Sequence, residues 1–279
     1  MSKIPLRFAA NITTMFTEIA NFADRYGAAA AAGFKGVECM FPYMVPVEQL
    51  KAVKESAGVD HVLMNAIPGN WEAGDRGIAA IPGRENEFRD SLQKSLLYAK
   101  TLQCKRIHVM AGLLPKSYVN ASVSEQRELW RDYSTVYVRN MQYAADLFRQ
   151  ASFEDITLLI EPINSKLSIP LYFVDTHIKA LELIRAIDRE NVKLQLDLFH
   201  IQVANGNLTK TLHEIFKDIG HIQISQVPNR NEPDEIGEIN YPYIFNTLQK
   251  LGYNGWIGCE YFPRGKTLEG LEWAQKYLH

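Results

Sequence analysis

KLQLDLFHIQ, residues 193–202, alternates strictly. Leu194, Leu196 and Leu198 fall on one side of an extended chain, and Lys193, Gln195 and Asp197 on the other. A strand covered on both faces should read as a nearly continuous apolar run. Here the second face is polar and ends in a carboxylate, with His200 three residues later. The polar face is read as looking into a barrel, with its far end lining the mouth.

Seven further segments read as strands: RFAANI (7–12), GVECM (36–40), HVLMNA (61–66), RIHVMA (106–111), ITLLIEPI (156–163), HIQISQ (221–226) and GWIGCEYF (255–262). With VKLQLDLF (192–199) they make eight. Helical period separates them over 15–32, 84–103, 122–150, 175–188 and 241–251. The clearest helix opens on Ser122-Val-Ser-Glu125, a capping-box spacing, and carries a stripe through Leu129, Tyr133, Met141 and Ala144. AAGFKGVECMF (31–41) and KLGYNGWIGCEYF (250–262) share one junction, a helix-ending glycine followed two residues after its aromatic neighbour by a second glycine that enters a strand. The fold expected is α/β, a single (β/α)8 TIM barrel over residues 1–279, a usual length for that architecture. A doubly wound open sheet would need a glycine-rich turn after the first strand, and none is present.

Thirty basic against 32 acidic residues give a net charge of −2, which offers no electrostatic case for nucleic acid or an anionic membrane. No apolar run approaches the ~18 residues of a membrane span, and MSKIPLRFAANITTMF lacks the apolar block of a signal peptide. Cys39, Cys104 and Cys259 are widely spaced and never form a CxxC pair, so free thiols and a cytoplasmic setting are expected. Alternation turns Cys259 away from its neighbour Glu260 and makes it a packing residue.

In such a barrel the functional groups stand at the C-terminal ends of the strands. The last four strands offer Glu161, Asp197, Gln223 and Glu260 there. One acid at a strand end is ordinarily a loop or ion-pair residue. Carboxylates converging in a partly dry pocket repel one another at a cost of several kcal/mol, and a cation removes that cost. All-oxygen ligation suits Mg²⁺ or Mn²⁺ better than zinc. His108 and His221 are read as interior structure.

LLIEPIN, LQLDLFHIQVANGNL, HIQISQVPNRNEPDEIGEINYPYIF and GYNGWIGCEYFPRG resemble the hydroxypyruvate isomerase family of xylose-isomerase-like barrels. SKIPLRFAANITTMF, GFKGVECMFPY and the NWEAGDRG loop extend the resemblance over nearly the whole chain. It implies a metal-assisted aldose–ketose isomerase interconverting hydroxypyruvate and tartronate semialdehyde, with Glu161 and Glu260 as acid/base pair. Related sugar 3-epimerases hold metal with Glu, Asp, His and Glu, which map onto Glu161, Asp197, Gln223 and Glu260. The glutamine is a departure that weakens the expected metal affinity.

Isomerisation removes a proton beside a carbonyl and returns it to the neighbouring carbon, through an enediolate whose charge must be stabilised. His200 is expected to donate a hydrogen bond to substrate, and Trp71, Arg76 and Arg230 to bind it. Arg264 is a further loop cation for the substrate carboxylate. The segment 67–87, IPGNWEAGDRGIAAIPGRENE, has no regular period before residue 84 and is expected to act as a lid. The partner expected is a small 2-oxo or hydroxy acid, and the chain is compatible with a homo-oligomer. Rival readings are a sugar 3-epimerase or four-carbon 2-oxo-acid isomerase, a metal-dependent DNA repair endonuclease and a non-catalytic sugar-acid binder. An endonuclease of that kind needs a His-rich metal cluster and a basic groove, which seven scattered histidines and this charge do not suggest.

Overall fold

Each of the eight strand segments forms a strand, all parallel, in a computed structural model that describes residues 5–151 and 156–278. The first three residues of SKIPLRFAANITTMF lie outside it. β1 (Arg7–Asn11), β2 (Gly36–Cys39), β3 (Asp60–Asn65), β4 (Arg106–His108), β5 (Thr157–Ile160), β6 (Val192–Asp197), β7 (Ile219–Ile224) and β8 (Trp256–Cys259) neighbour one another in chain order. β8 pairs back onto β1, which closes the barrel. Around it run α1 (Asp24–Ala31), α2 (Val47–Ala57), α3 (Glu85–Leu102), α4 (Val123–Gln150), α5 (His177–Ile187), α6 (Leu198–Ala204), α7 (Leu208–Ile215), α8 (Tyr241–Leu251) and α9 (Gln275–Leu278). Among the described residues no helix is long and apolar enough to cross a membrane.

The local signals act as read where they are strongest. Ser122 Oγ accepts from the Glu125 N–H at 3.3 Å while Glu125 Oε2 accepts from the Ser122 N–H at 2.7 Å, so α4 starts on a complete capping box. Gly33 and Gly252, the shared junction glycines, both take positive φ, 98° and 80°. All three cysteines are buried and unpaired.

Three readings are corrected. The helix expected over 15–32 exists only as α1, because the stretch before it binds elsewhere. Phe16 N–H donates to Thr267 Oγ1 at 2.6 Å, and Arg25 reaches back to the Ile12 and Ile19 carbonyls. α2, α6, α7 and α9 were not anticipated; α2 buries only Leu50 fully, so it carries almost no apolar stripe. β4, β5 and β8 each stop three residues early, and β6 stops two early, at Asp197. Its side chain accepts from the Phe199 N–H at 2.8 Å and caps α6, so Leu198 and Phe199 are already helical.

Alternation sorts each strand into an outer face packed under helices and an inner face. Deep inside, Ala9, Val62, Leu63, Leu159 and Trp256 form a separate apolar cluster. On the same strand faces, nearer the mouth, stand Asn11, Asn65, Glu161 and Glu260. The apolar floor thus lies under a polar layer. Gly258 belongs to that layer because a Cβ there would lie 2.3 Å from both carboxylate oxygens of Glu38.

This packing sets two glycine substitutions apart. Gly258→Ala is expected to lower stability by about 1–3 kcal/mol through overpacking. Gly27→Ala, in α1 with nothing within 4 Å of the added methyl, is expected to raise it by ~0.5–1 kcal/mol. Denaturant midpoints of the two variants decide this, and a Gly258→Ala midpoint equal to wild type contradicts the crowding described.

Candidate active site

The register sets the height of the site. Asp197 pairs with Gln223, and Gln223 with Gly258, so Glu260 stands two residues nearer the mouth on β8. Glu161 follows the last residue of β5 directly. All four predicted residues line or abut one cavity of about 540 Å³, whose wall includes Trp71, His108, Gln195, His200 and Arg230. Asp197 is fully buried beneath it. A larger groove of about 730 Å³, under the segment following β7, contains Arg264 and none of these acids.

Arg230 is the organising cation. Its Nη2 lies 3.1 Å from Asp197 Oδ2 and 3.2 Å from Glu260 Oε2, and its guanidinium covers the Phe199 ring at 5.2 Å. Arg230 takes a positive φ of 56°, held by N–H donation to the Gln226 carbonyl and by its own carbonyl accepting from Phe262. Burial opposes its charge, but Glu260, Asp197 and Glu161 outweigh that and keep it above its ordinary pKa. Arg264 instead pairs with Glu232 and Asp234, away from the site.

One guanidinium does not balance the acids. Desolvation, then Glu260 and Asp197, push Glu161 well above the usual carboxylate range. Burial likewise raises Asp197 against the pull of Arg230, and raises Glu260 to about 7. Glu161 Oε1 has no hydrogen-bond partner, while its Oε2 lies 3.4 Å from His108 Nδ1. His108, expected to be plain interior structure, therefore stands beside a candidate catalytic acid.

His200 answers differently from a metal ligand. With Glu161 and Asp197 it forms the group of described residues able to surround an ion. Its Nδ1, however, faces Asn164 Nδ2 at 2.7 Å and the Asn164 N–H at 3.4 Å. The Asn164 amide is fixed, since its Oδ1 accepts from the Leu167 N–H at 2.8 Å. Nδ1 must accept, so the hydrogen sits on Nε2, which points between Asp197 Oδ2 (3.5 Å) and Glu161 Oε1 (3.7 Å). Burial, with Arg230 and His108 nearby, holds the ring neutral. His200 thus offers the site a donor, and the oxygens of the acids are the groups fit to meet a cation. That oxygen-rich set, with the orphaned Glu161 Oε1 and a surplus of buried acid, fits a hard divalent ion.

The segment 67–87 has no helix or strand of its own before α3, as expected, and is packed and anchored. Ile78, Ala79 and Ala80 are buried, the Asn140 amide donates to the Ala79 carbonyl, and Arg84 grips Asp75 through two bonds of 2.7 and 2.8 Å. Within the tip, 69–76, the bonds are local: the Asn70 N–H donates to Asp75 Oδ2 at 2.7 Å and the Arg76 guanidinium to the Trp71 carbonyl at 3.2 Å. There Arg76 stacks on Trp71 at 3.8 Å and Trp71 meets Phe41 at 5.1 Å, both at the cavity. Sequence reasoning missed Glu38, Asn11, Gln195 and Asn164. Glu38 carried the signal that exposed Asp197, an acid between two apolar residues of a strand.

Residues 26–277 match a family model described as Xylose isomerase-like TIM barrel. The chain is 42% identical to the hydroxypyruvate isomerase of Escherichia coli over 98% of its own length and 99% of that protein's. It is 43% identical to the 2-oxo-tetronate isomerase of Cupriavidus necator, covering 98% of each. A crystal structure from Brucella melitensis described as AP endonuclease, family 2 superposes with a TM-score of 0.89 at 42% identity, over 98% of this chain and 99% of that one.

A raised carboxylate pKa means that the folded state holds a proton the unfolded chain has lost. For Glu260 the native form binds more protons between about 4.5 and about 7, so stability is fully present below that window and falls as pH rises through it. Metal-stripped protein is expected to lose on the order of 2 kcal/mol to this group between pH 4.5 and 7.5. Glu260→Gln should flatten that part of the curve. Equal pH slopes for variant and wild type in urea titrations would contradict the assignment.

Proposed function

The chain belongs to the xylose isomerase-like TIM barrel family, and we propose that it is an aldose–ketose isomerase interconverting hydroxypyruvate and tartronate semialdehyde (2-hydroxy-3-oxopropanoate). The observation that carries this reading is that Glu161 and Glu260 open onto one cavity while the Arg230 guanidinium in its wall joins Glu260 to the buried Asp197. Burial holds Glu161 well above the usual carboxylate range and raises Glu260 to about 7, where it can exchange a proton near neutral pH.

In the forward direction a carboxylate takes a proton from C3 of hydroxypyruvate. The C2–C3 bond becomes double and the C2 oxygen gains charge. A proton is returned to C2 while the hydroxyl proton passes from O3 to O2, leaving an aldehyde at C3 and a hydroxyl at C2. Glu161 and Glu260 are the groups that take and return the carbon-bound proton. His200 Nε2–H donates to a substrate oxygen and stabilises its developing charge. Arg76, stacked on Trp71, takes the substrate carboxylate, and Arg230, whose Nε has no partner, adds a second cationic contact. Mg²⁺ or Mn²⁺, held by the oxygens of Glu161, Asp197, Gln223 and Glu260, would supply Lewis-acid charge to the enediolate.

A cavity of about 540 Å³ leaves room beyond a three-carbon acid, and this favours a second reading, a 2-oxo-tetronate isomerase, in line with the Cupriavidus relative. The description of the Brucella structure would suggest a nucleic-acid function. Net charge of −2 and a metal-capable group of two acids and one committed imidazole argue against it.

NMR of the protein incubated with hydroxypyruvate and with four-carbon 2-oxo acids, with and without Mg²⁺, tests the reading. Conversion of hydroxypyruvate to the aldehyde is expected, and Glu161→Gln or Glu260→Gln should lower kcat by ~10²–10⁴-fold. Turnover of the four-carbon acids alone would favour the second reading. Full rates in both Gln variants would remove the acid/base assignment.

A further inference from the structure

Below the candidate ligands lies another carboxylate, which the reaction does not use. Glu38, on β2, is fully buried. Its oxygens gather three groups from β1 and β7: Asn11 Nδ2 at 3.2 Å, Gln223 Nε2 at 2.7 Å and His221 Nε2 at 2.8 Å. Gly258 on β8 gives up its side chain to make room for this carboxylate. Three strands thus converge on one acid of a fourth.

The two ends of a glutamine amide have nearly the same shape, and neighbours alone decide which end faces where. A carboxylate accepts hydrogen bonds, so it draws the nitrogen end of Gln223 downward. The oxygen end is left on the other side, where it accepts from Gln195 Nε2 at 2.6 Å. Asn11 is set in the same way, its Oδ1 taking the Thr13 N–H at 3.1 Å. For a site that holds a cation the sense of the amide is decisive. An oxygen ligates, whereas an NH₂ group turns positive hydrogens toward the ion.

We propose that Glu38 is a positioning residue: acting through Gln223, it determines that the amide oxygen, and not the nitrogen, is available to the ion. This rests on the proposed role of Gln223 as a ligand. The alternative is that Glu38 matters only as a negative charge. The two differ in which replacement is tolerated. Glu38→Gln loses the charge but keeps the reach, and its new amide oxygen can still accept from Gln223. His221 can accommodate the new NH₂ because its Nδ1 has no partner and the ring hydrogen can move there. Glu38→Asp keeps the charge but is one methylene too short to hold Gln223.

The test is Mn²⁺ titration by calorimetry without substrate, on wild type, Glu38→Gln, Glu38→Asp, Gln223→Met and the Glu38→Asp/Gln223→Met double variant, each checked for folding by thermal unfolding. Glu38→Gln is expected to keep the dissociation constant within about threefold. Glu38→Asp should weaken binding by about 10–100-fold, the range for partners that orient a metal ligand. In the Gln223→Met background Glu38→Asp should add nothing, because the path it acts through is gone. Retained affinity in Glu38→Asp with loss in Glu38→Gln, or additive losses in the double variant, would overturn the positioning role. Wild type that binds no Mn²⁺ would instead overturn the ligand reading beneath it.

Discussion

Too much negative charge in too little water is the constraint on which this site depends. Glu38, Glu161, Asp197 and Glu260 are each at most 9% exposed, and one guanidinium touches two of them. Burying an unpaired carboxylate costs several kcal/mol, so the chain answers the charge in three ways. Arg230 pairs with Asp197 and Glu260. Hydrogen-bond donors converge on Glu38. Protons stay on Glu161 and Glu260 to higher pH than usual. The last response is the useful one, because Glu260, raised to about 7, can release its proton near neutral pH and so can also take one from carbon.

The rest of the barrel serves to hold that imbalance still. A dry floor of Ala9, Val62, Leu63, Leu159 and Trp256 closes the barrel below. The layer above it is wired amide to carboxylate, so that side chains with interchangeable ends keep one orientation. The β6–α6 turn does two tasks at once. Asp197 caps the helix with one oxygen and meets Arg230 with the other, and the first helical turn brings His200 into the pocket three residues later. The close Asp–His spacing of the sequence is a strand end followed by a helix start.

Where a physical rule has a short reach, the sequence was legible. Apolar runs bounded by turns found all eight strands, and the capping box placed the start of α4 to the residue. Glu161 and Glu260 were found as strand-end acids, and Arg76 and Arg230 as loop cations near the mouth. Features set by distant partners were not legible. The segment before α1 is turned by Thr267, some 250 residues away, and Arg264 is drawn aside by Glu232 and Asp234. The anchors of the segment 67–87, Asn140 and the Ala111 carbonyl, lie far along the chain from it. The His200 tautomer is written by Asn164, whose own amide is fixed by Leu167. No local pattern contains that chain of bonds.

That protons, and not hydride, move between the carbons is the central claim, and solvent isotope reports on it most directly. With hydroxypyruvate in D₂O, proton NMR and mass spectrometry of product and recovered substrate would follow deuterium at C2 and C3. Transfer through carboxylates that meet solvent predicts deuterium at C2 of the product and, with longer incubation, at C3 of the recovered substrate. Product formed at full rate with no deuterium on carbon would mean a direct hydride shift, and would contradict the role of Glu161 and Glu260 as the groups that carry the proton.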